Sequence, residues 1–211
     1  MTTTIFLVRH GRTKANEEER FAGRTDEPLL EIGKEQAKQA ALHLADQNIN
    51  ITAIYASPLV RTIETAQIMA KVLNAPVKLE EGLNEIRIPQ WDGRLKTDLF
   101  EDHKTQYPIW KKDPSSFALP GAETLQELQT RAVYAMEKIF ALHKGENVVA
   151  VTHLAVSRCL LLHYSGRPLS EYRTISVANA TPIALTQKSD HNCIVIGGLK
   201  SLHTAQENVN F

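Results

Sequence analysis

Apolar and polar positions along this chain fall into blocks that switch between two periods. The run from Ile5 to Val8 is apolar and ends in polar residues, which is the pattern of a buried strand. From Ile32 to Ala45 the spacing lengthens, and Ile32, Ala37, Ala41, Leu44 and Ala45 fall near one face of an Ala- and Gln-rich helix. Ile51 to Tyr55 predicts a second strand. Pro58 then opens a helix to about Leu73, with proline in the first turn, where a missing N–H costs least. Val77 to Leu79 predicts a third, short strand. Glu123 to Leu142 predicts a long helix, because Leu125, Leu128, Ala132, Ala135, Met136 and Ile139 keep the helical period. Val148 to Val151 is the clearest buried strand, and an apolar helix follows from Leu154 to Leu162. Ser176-Val177, Ile183 to Thr186 and Cys193 to Ile196 read as later strands.

Strands and helices in alternation predict an α/β fold in three layers, a mostly parallel central sheet with helices on both faces. Only the stretch from Leu83 to Pro120 breaks the rhythm. It holds both tryptophans, Pro89, Pro108, Pro114 and Pro120, and mixed charge, so it predicts one or two helices set in loops outside the sheet. Within it, residues 91–120 are expected to form a cap- or lid-like insertion over the functional site. Trp91, Tyr107 and Trp110 suit a lid and a core cover equally, while Lys111 and Lys112 read as solvated charge ahead of substrate contacts. The 211 residues show no repeat, low-complexity stretch or linker, so residues 1–211 read as a single domain.

Charge narrows the choice of partner. Lys plus Arg and Asp plus Glu both number 24, which gives no reason to expect nucleic acid or an anionic membrane. No apolar run approaches the roughly 20 residues of a membrane helix, and the start lacks the basic and long apolar regions of a signal peptide, so a cytoplasmic protein is expected. Cys159 and Cys193 have no metal-like spacing and read as free thiols. No carboxylate cluster suggests a metal, and no cofactor is expected.

The chemistry gathers at strand ends. The first strand runs into Arg9-His10-Gly11 and the clearest later strand into Thr152-His153-Leu154. Ligands of open α/β sheets sit beyond the carboxyl ends of the strands, so the two histidines are expected to face one crevice. Arg61 lies in the first turn after the second strand and should project to the same edge. An arginine fork and the N-terminus of the helix after His153 both favour an anion there. Nearby cations keep a histidine neutral and nucleophilic, and a carbonyl near Gly11 could fix its tautomer. Glu85 is the best-placed acid to protonate a leaving oxygen.

These residues also stand in the order of a known family. Val8-Arg9-His10-Gly11 with Thr13 and Asn16, the loop Phe21-Ala22-Gly23-Arg24-Thr25-Asp26, and Ser57-Pro58-Leu59-Val60-Arg61-Thr62 resemble the phosphoglycerate mutase-like branch of the histidine phosphatase superfamily. So do Leu83-Asn84-Glu85, Pro120-Gly121-Ala122-Glu123-Thr124, Val151-Thr152-His153 with Arg158, and the late turn Asn179-Ala180-Thr181. The resemblance implies a phosphoglycerate mutase-like fold and a metal-free mechanism through phosphohistidine. By motif match His10 is the nucleophile and Glu85 the proton donor. Arg9, Arg61, His153 and Asn16 would bind the phosphoryl group, and Gly23 would line the site.

Four positions depart from the family pattern. Arg12 stands where Glu is frequent and adds positive charge at the mouth, and Leu154 replaces a common Gly and makes the pocket narrower and greasier. Leu30 replaces a helix-capping Ser or Thr, and Ala122 replaces a common Gly. The expected function is hydrolysis of a small phosphorylated metabolite. The alternatives are a phosphoglycerate mutase, whose relatives resemble chains with a longer segment after the acid–base carboxylate, and a non-catalytic phosphate-binding module. The resemblance also allows a homodimer.

Overall fold

A computed structural model describes residues 2–188 and 194–198. The strands are β1 (Thr2–Arg9), β2 (Ile51–Ala56), β3 (Val77–Leu79), β4 (Asn147–Thr152), β5 (Ile183–Lys188) and β6 (Ile194–Gly198). The helices are α1 (Lys14–Glu17), α2 (Glu31–Asp46), α3 (Val60–Leu73), α4 (Lys96–Asp102), α5 (Gln106–Lys112), α6 (Leu125–Leu142) and α7 (Leu154–Tyr164). The strands form one six-stranded sheet in the order β3-β2-β4-β1-β5-β6. Its first four strands run parallel, β5 runs antiparallel to β1, and β6, antiparallel to β5, returns to the direction of the first four.

The side-chain alternation of β1 divides the core between the two faces of the sheet. Ile5 and Leu7 join Leu128, Met136 and Leu160 under α6 and α7. Phe6 and Val8 join Ala40, Leu44, Ile54 and Met69 under α2 and α3. The result is the three-layer α/β sandwich that the alternating pattern predicts.

Helix ends follow their caps. Thr124 closes a capping box with Glu127, accepting from its N–H at 3.2 Å, so α6 starts at Leu125 rather than Glu123. α2 begins at Glu31, and Leu30 at the capping position supplies no side-chain cap, as expected from the lost Ser or Thr. Pro58 stands before the capping residue Leu59 rather than in the first turn of α3. Ser176-Val177 is not a strand but part of an irregular connection, in which Arg9 Nη1 donates to the Val177 carbonyl at 3.0 Å. Cys193 and the polar tail lie outside the described residues; Cys159 is buried and free.

Residues 91–120 fold as α4, α5 and a short 3₁₀ turn over Pro114–Ser116. Aromatic packing ties this segment to the loop after β1. Phe21 meets Trp91 edge-on at 5.4 Å, and Trp91 meets Phe117 at 4.9 Å. Trp91, Tyr107 and Trp110 are all buried, which favours the core-cover reading for these three. Among the described residues no helix is long and apolar enough to cross a membrane.

Candidate active site

The register of the two central strands sets up the site. β1 pairs with β4 in parallel, with Arg9 opposite Thr152, so the next residue on each strand is a histidine at the same carboxyl edge. The His10 and His153 rings lie 5.4 Å apart, tilted by 59°. β2 flanks β4 on the other side, with Ala56 opposite Val151, and the chain then enters α3 and places Arg61 beside them. The crevice expected at the strand ends is therefore present.

His10 is buried, and its Nδ1 lies 2.7 Å from the Gly11 carbonyl oxygen. A carbonyl can only accept, so Nδ1 carries the proton and Nε2 keeps a lone pair. Burial, then the charges of Arg61 and Arg9, hold His10 well below the ordinary histidine range. The local backbone needs glycine for this. A Cβ on Gly11 would come within 2.2 Å of the Gly33 carbonyl oxygen, which packs the loop after β1 tightly on α2.

Arg61 is fully buried and locked by three contacts. Its Nε donates to His153 Nδ1 at 3.2 Å, Nη1 to the Thr25 carbonyl at 2.7 Å and Nη2 to the Gly23 carbonyl at 2.6 Å. A guanidinium has five N–H donors, so two remain for an anion. Arg9 likewise presents a buried Nε without a partner among the described residues. Gly23 has φ of +50°, and Asp92 occupies the space a Cβ would need.

His153 sits beside Arg61 at the same strand edge. Both ring nitrogens engage the protein: Nδ1 accepts from Arg61 and Nε2 meets Ser57 Oγ at 2.8 Å. Ser57 in turn donates to Asn84 Oδ1 at 2.9 Å. His153 is fully buried next to Arg61 and is not among the residues lining the cavity.

A cavity of about 430 Å³ opens in front of these groups. Arg9, His10, Arg12, Asn16, Gly23, Arg61, Glu85 and Leu154 all line it, which brings together every sequence-derived candidate except His153. Glu85 Oε1 accepts from the Ile86 N–H at 2.8 Å, and Oε2 faces the Ala155 N–H of α7 at 3.5 Å. Burial raises its pKa above the usual carboxylate range, against the opposing pull of these amides and Arg61. Asn16 Oδ1 accepts from Asn179 Nδ2, which also donates to the His10 carbonyl at 2.8 Å. Lys111 and Lys112 are exposed and outside the cavity wall.

The cavity also includes residues that the motifs left without a role, among them Lys96, Arg158, Arg173 and Asn179. Arg158 had a local signal: it lies four residues after Leu154, on the same face of α7. Lys96 and Arg173 had none, because tertiary packing alone brings them there. Among the described residues no group of three or more His, Cys, Asp or Glu is placed to hold a metal ion.

Residues 5–196 match the family description histidine phosphatase superfamily, branch 1. The chain belongs to the histidine phosphatase superfamily. It is accordingly a phosphoric monoester hydrolase of the histidine phosphatase type, with a phosphoglycerate mutase-like fold. The chain is 29% identical to phosphoserine phosphatase 1 of Hydrogenobacter thermophilus, over 90% of each protein. It is also 29% identical to the probable phosphoglycerate mutase GpmB of Enterobacter sp., over 84% of this chain and 81% of that one. The solved structure of Bacillus stearothermophilus YhfR superposes with a TM-score of 0.87 at 28% identity, covering 93% of this chain and 96% of that chain.

Proposed function

We propose that this histidine phosphatase hydrolyses a small phosphorylated metabolite without a metal, by way of a phosphohistidine at His10. The observation that carries this reading is the Nδ1–Gly11 contact, which leaves a neutral, cation-flanked Nε2 with a free lone pair beside the cavity. In the first step Nε2 attacks phosphorus and the ester oxygen leaves with the Glu85 proton. In the second, Glu85 takes a proton from water as the water attacks phosphohistidine. Arg9 and Arg61 bear the charge of the transferring group, and Asn16 supports it from the loop side. His153 serves through Arg61, whose fork it helps to orient.

The test is phosphate release from a panel of metabolite monoesters in the presence of EDTA. One ester is expected to turn over with EDTA present and to leave an acid-labile, base-stable label on the protein. Loss of activity on chelation and recovery with magnesium would overturn the mechanism. Efficient interconversion of phosphoglycerates with little free phosphate would favour the mutase reading, for which the GpmB relative is the supporting observation.

The ionisation states give a pH dependence with a definite sign. Activity needs Glu85 protonated and His10 neutral. Glu85 is shifted up and His10 down, so kcat/KM is expected to rise as pH falls from 8 toward mild acid. Glu85→Gln should lose about 10²–10⁴ in rate, together with that alkaline limb. Stability follows the same carboxyl in the same direction. A folded pKa above the unfolded value gives stability that is present below the unfolded pKa and lost as pH rises through the folded one. E85Q should therefore melt no lower than wild type at pH 8, with the gap closing near pH 4. A large drop in its Tm at pH 8 would contradict this assignment.

A further inference from the structure

The cavity holds more positive charge than one phosphoryl group requires. Seven cationic side chains reach it against the single carboxylate Glu85. Arg61 and Arg9 lie at its buried end beside His10, whereas Lys96 and Arg173 are exposed and so stand at its mouth. Arg20 has an ion pair, with Glu18 at 2.6 Å. Lys96 and Arg173 have no such match: among the described residues neither forms a salt bridge with a carboxylate.

Arg173 is nevertheless held in place. Its guanidinium stacks on Trp110 and on Tyr172, each at 5.6 Å, and donates to the Trp110 carbonyl. Lys96 is fixed at its backbone, where its N–H donates to the Glu19 carbonyl at 3.1 Å. Desolvation against the cavity wall is the main influence lowering the pKa of both groups, although part of each side chain stays exposed. Neighbouring cations add to it, Lys111, Arg9 and Arg173 for Lys96 and Arg158 for Arg173, while Glu19 opposes it for Lys96 and Tyr172 and Tyr107 oppose it for Arg173. Placing these cations together raises the energy of the empty protein, and a bound anion relieves it.

Building on the phosphatase reading, we propose that Lys96 and Arg173 form a second anion subsite at the cavity mouth. The substrate is then a small phosphate monoester that bears a further carboxylate or phosphate. The transferring phosphoryl group occupies the Arg9–Arg61 end, and the second anion meets the Arg173 fork, which stacking has already oriented. A cavity of about 430 Å³ has room for a ligand that spans both ends.

Three esters on one skeleton test this: glycerol 3-phosphate, 3-phosphoglycerate and glycerol 1,3-bisphosphate. Dissociation constants are measured by calorimetry on His10→Ala protein, and kcat/KM by release of inorganic phosphate from wild type. The doubly anionic esters are expected to bind about 10- to 100-fold more tightly than glycerol 3-phosphate. Comparing the carboxylate with the bisphosphate then identifies the second anion. Lys96→Met and Arg173→Lys should shrink that ratio, with circular dichroism checking the fold. Equal binding of all three esters, or a ratio unchanged in both variants, overturns the subsite. Discrimination in binding without phosphate release from any ester would leave the subsite standing and defeat the phosphatase reading instead.

Discussion

His10→Ala is expected to lose phosphatase activity by about 10⁴-fold or more while remaining folded. The chemical step needs a nitrogen lone pair at this one position, and the cavity wall offers no second imidazole, since His153 has both ring nitrogens engaged beside Arg61. The anchors around position 10 do not depend on the side chain. The His10 N–H donates to the Thr152 carbonyl at 2.9 Å, Asn179 donates to the His10 carbonyl, and the Ala180 N–H donates to the Arg9 carbonyl at 2.8 Å. The variant should therefore keep its cavity and still bind esters. Incubation with a labelled substrate should mark wild type and leave the variant unmarked. Phosphate release within tenfold of wild type would remove His10 from the mechanism.

Arg61→Ala should damage both activity and stability. Its guanidinium ties α3 to the loop through Gly23 and Thr25 and holds the tautomer of His153. Truncation leaves two carbonyls without their donor, at about 1–3 kcal/mol each where water cannot reach them. A loss of about 3 kcal/mol in unfolding free energy and a 10²- to 10³-fold fall in kcat/KM are the expected results. Arg61→Lys should recover little, because one ammonium cannot reach three acceptors in different directions. Urea unfolding beside phosphate release checks both effects. A variant within 1 kcal/mol and tenfold of wild type would reduce Arg61 to a spectator.

Much of this was legible in the chain itself. The apolar runs that became β1, β2 and β4 end at His10, Ser57 and His153, so the strand-end rule was enough to bring the site together. The element boundaries were less legible. Apolar patterning starts β1 at Ile5, yet Thr2–Thr4 extend it by pairing with β5, where Thr4 and Thr186 hydroxyls meet at 3.3 Å. A β-branched polar residue at a sheet end carries no hydrophobic signal. The ring contacts of His153 were hidden, because a motif places a histidine near the site and does not say which of its nitrogens are already engaged. The cations at the mouth were out of reach for a third reason. Lys96 comes from the 91–120 segment and Arg173 from a turn after α7 that packs on Trp110 and Tyr172, so they meet at one cavity from distant parts of the chain with no local signal.

The reversal of β5 reaches beyond architecture. Because β5 runs against β1, the turn that precedes it arrives at the same edge as the two histidines, and Val177, Asn179 and Ala180 bind Arg9 and His10 there. During synthesis the ribosome delivers His10 early, but the braces for Arg9 and His10 emerge some 170 residues later. A nascent or truncated chain that stops before Val177 holds the reactive histidine without its supports. The braces for the reactive histidine thus join only after four of the six strands have been made.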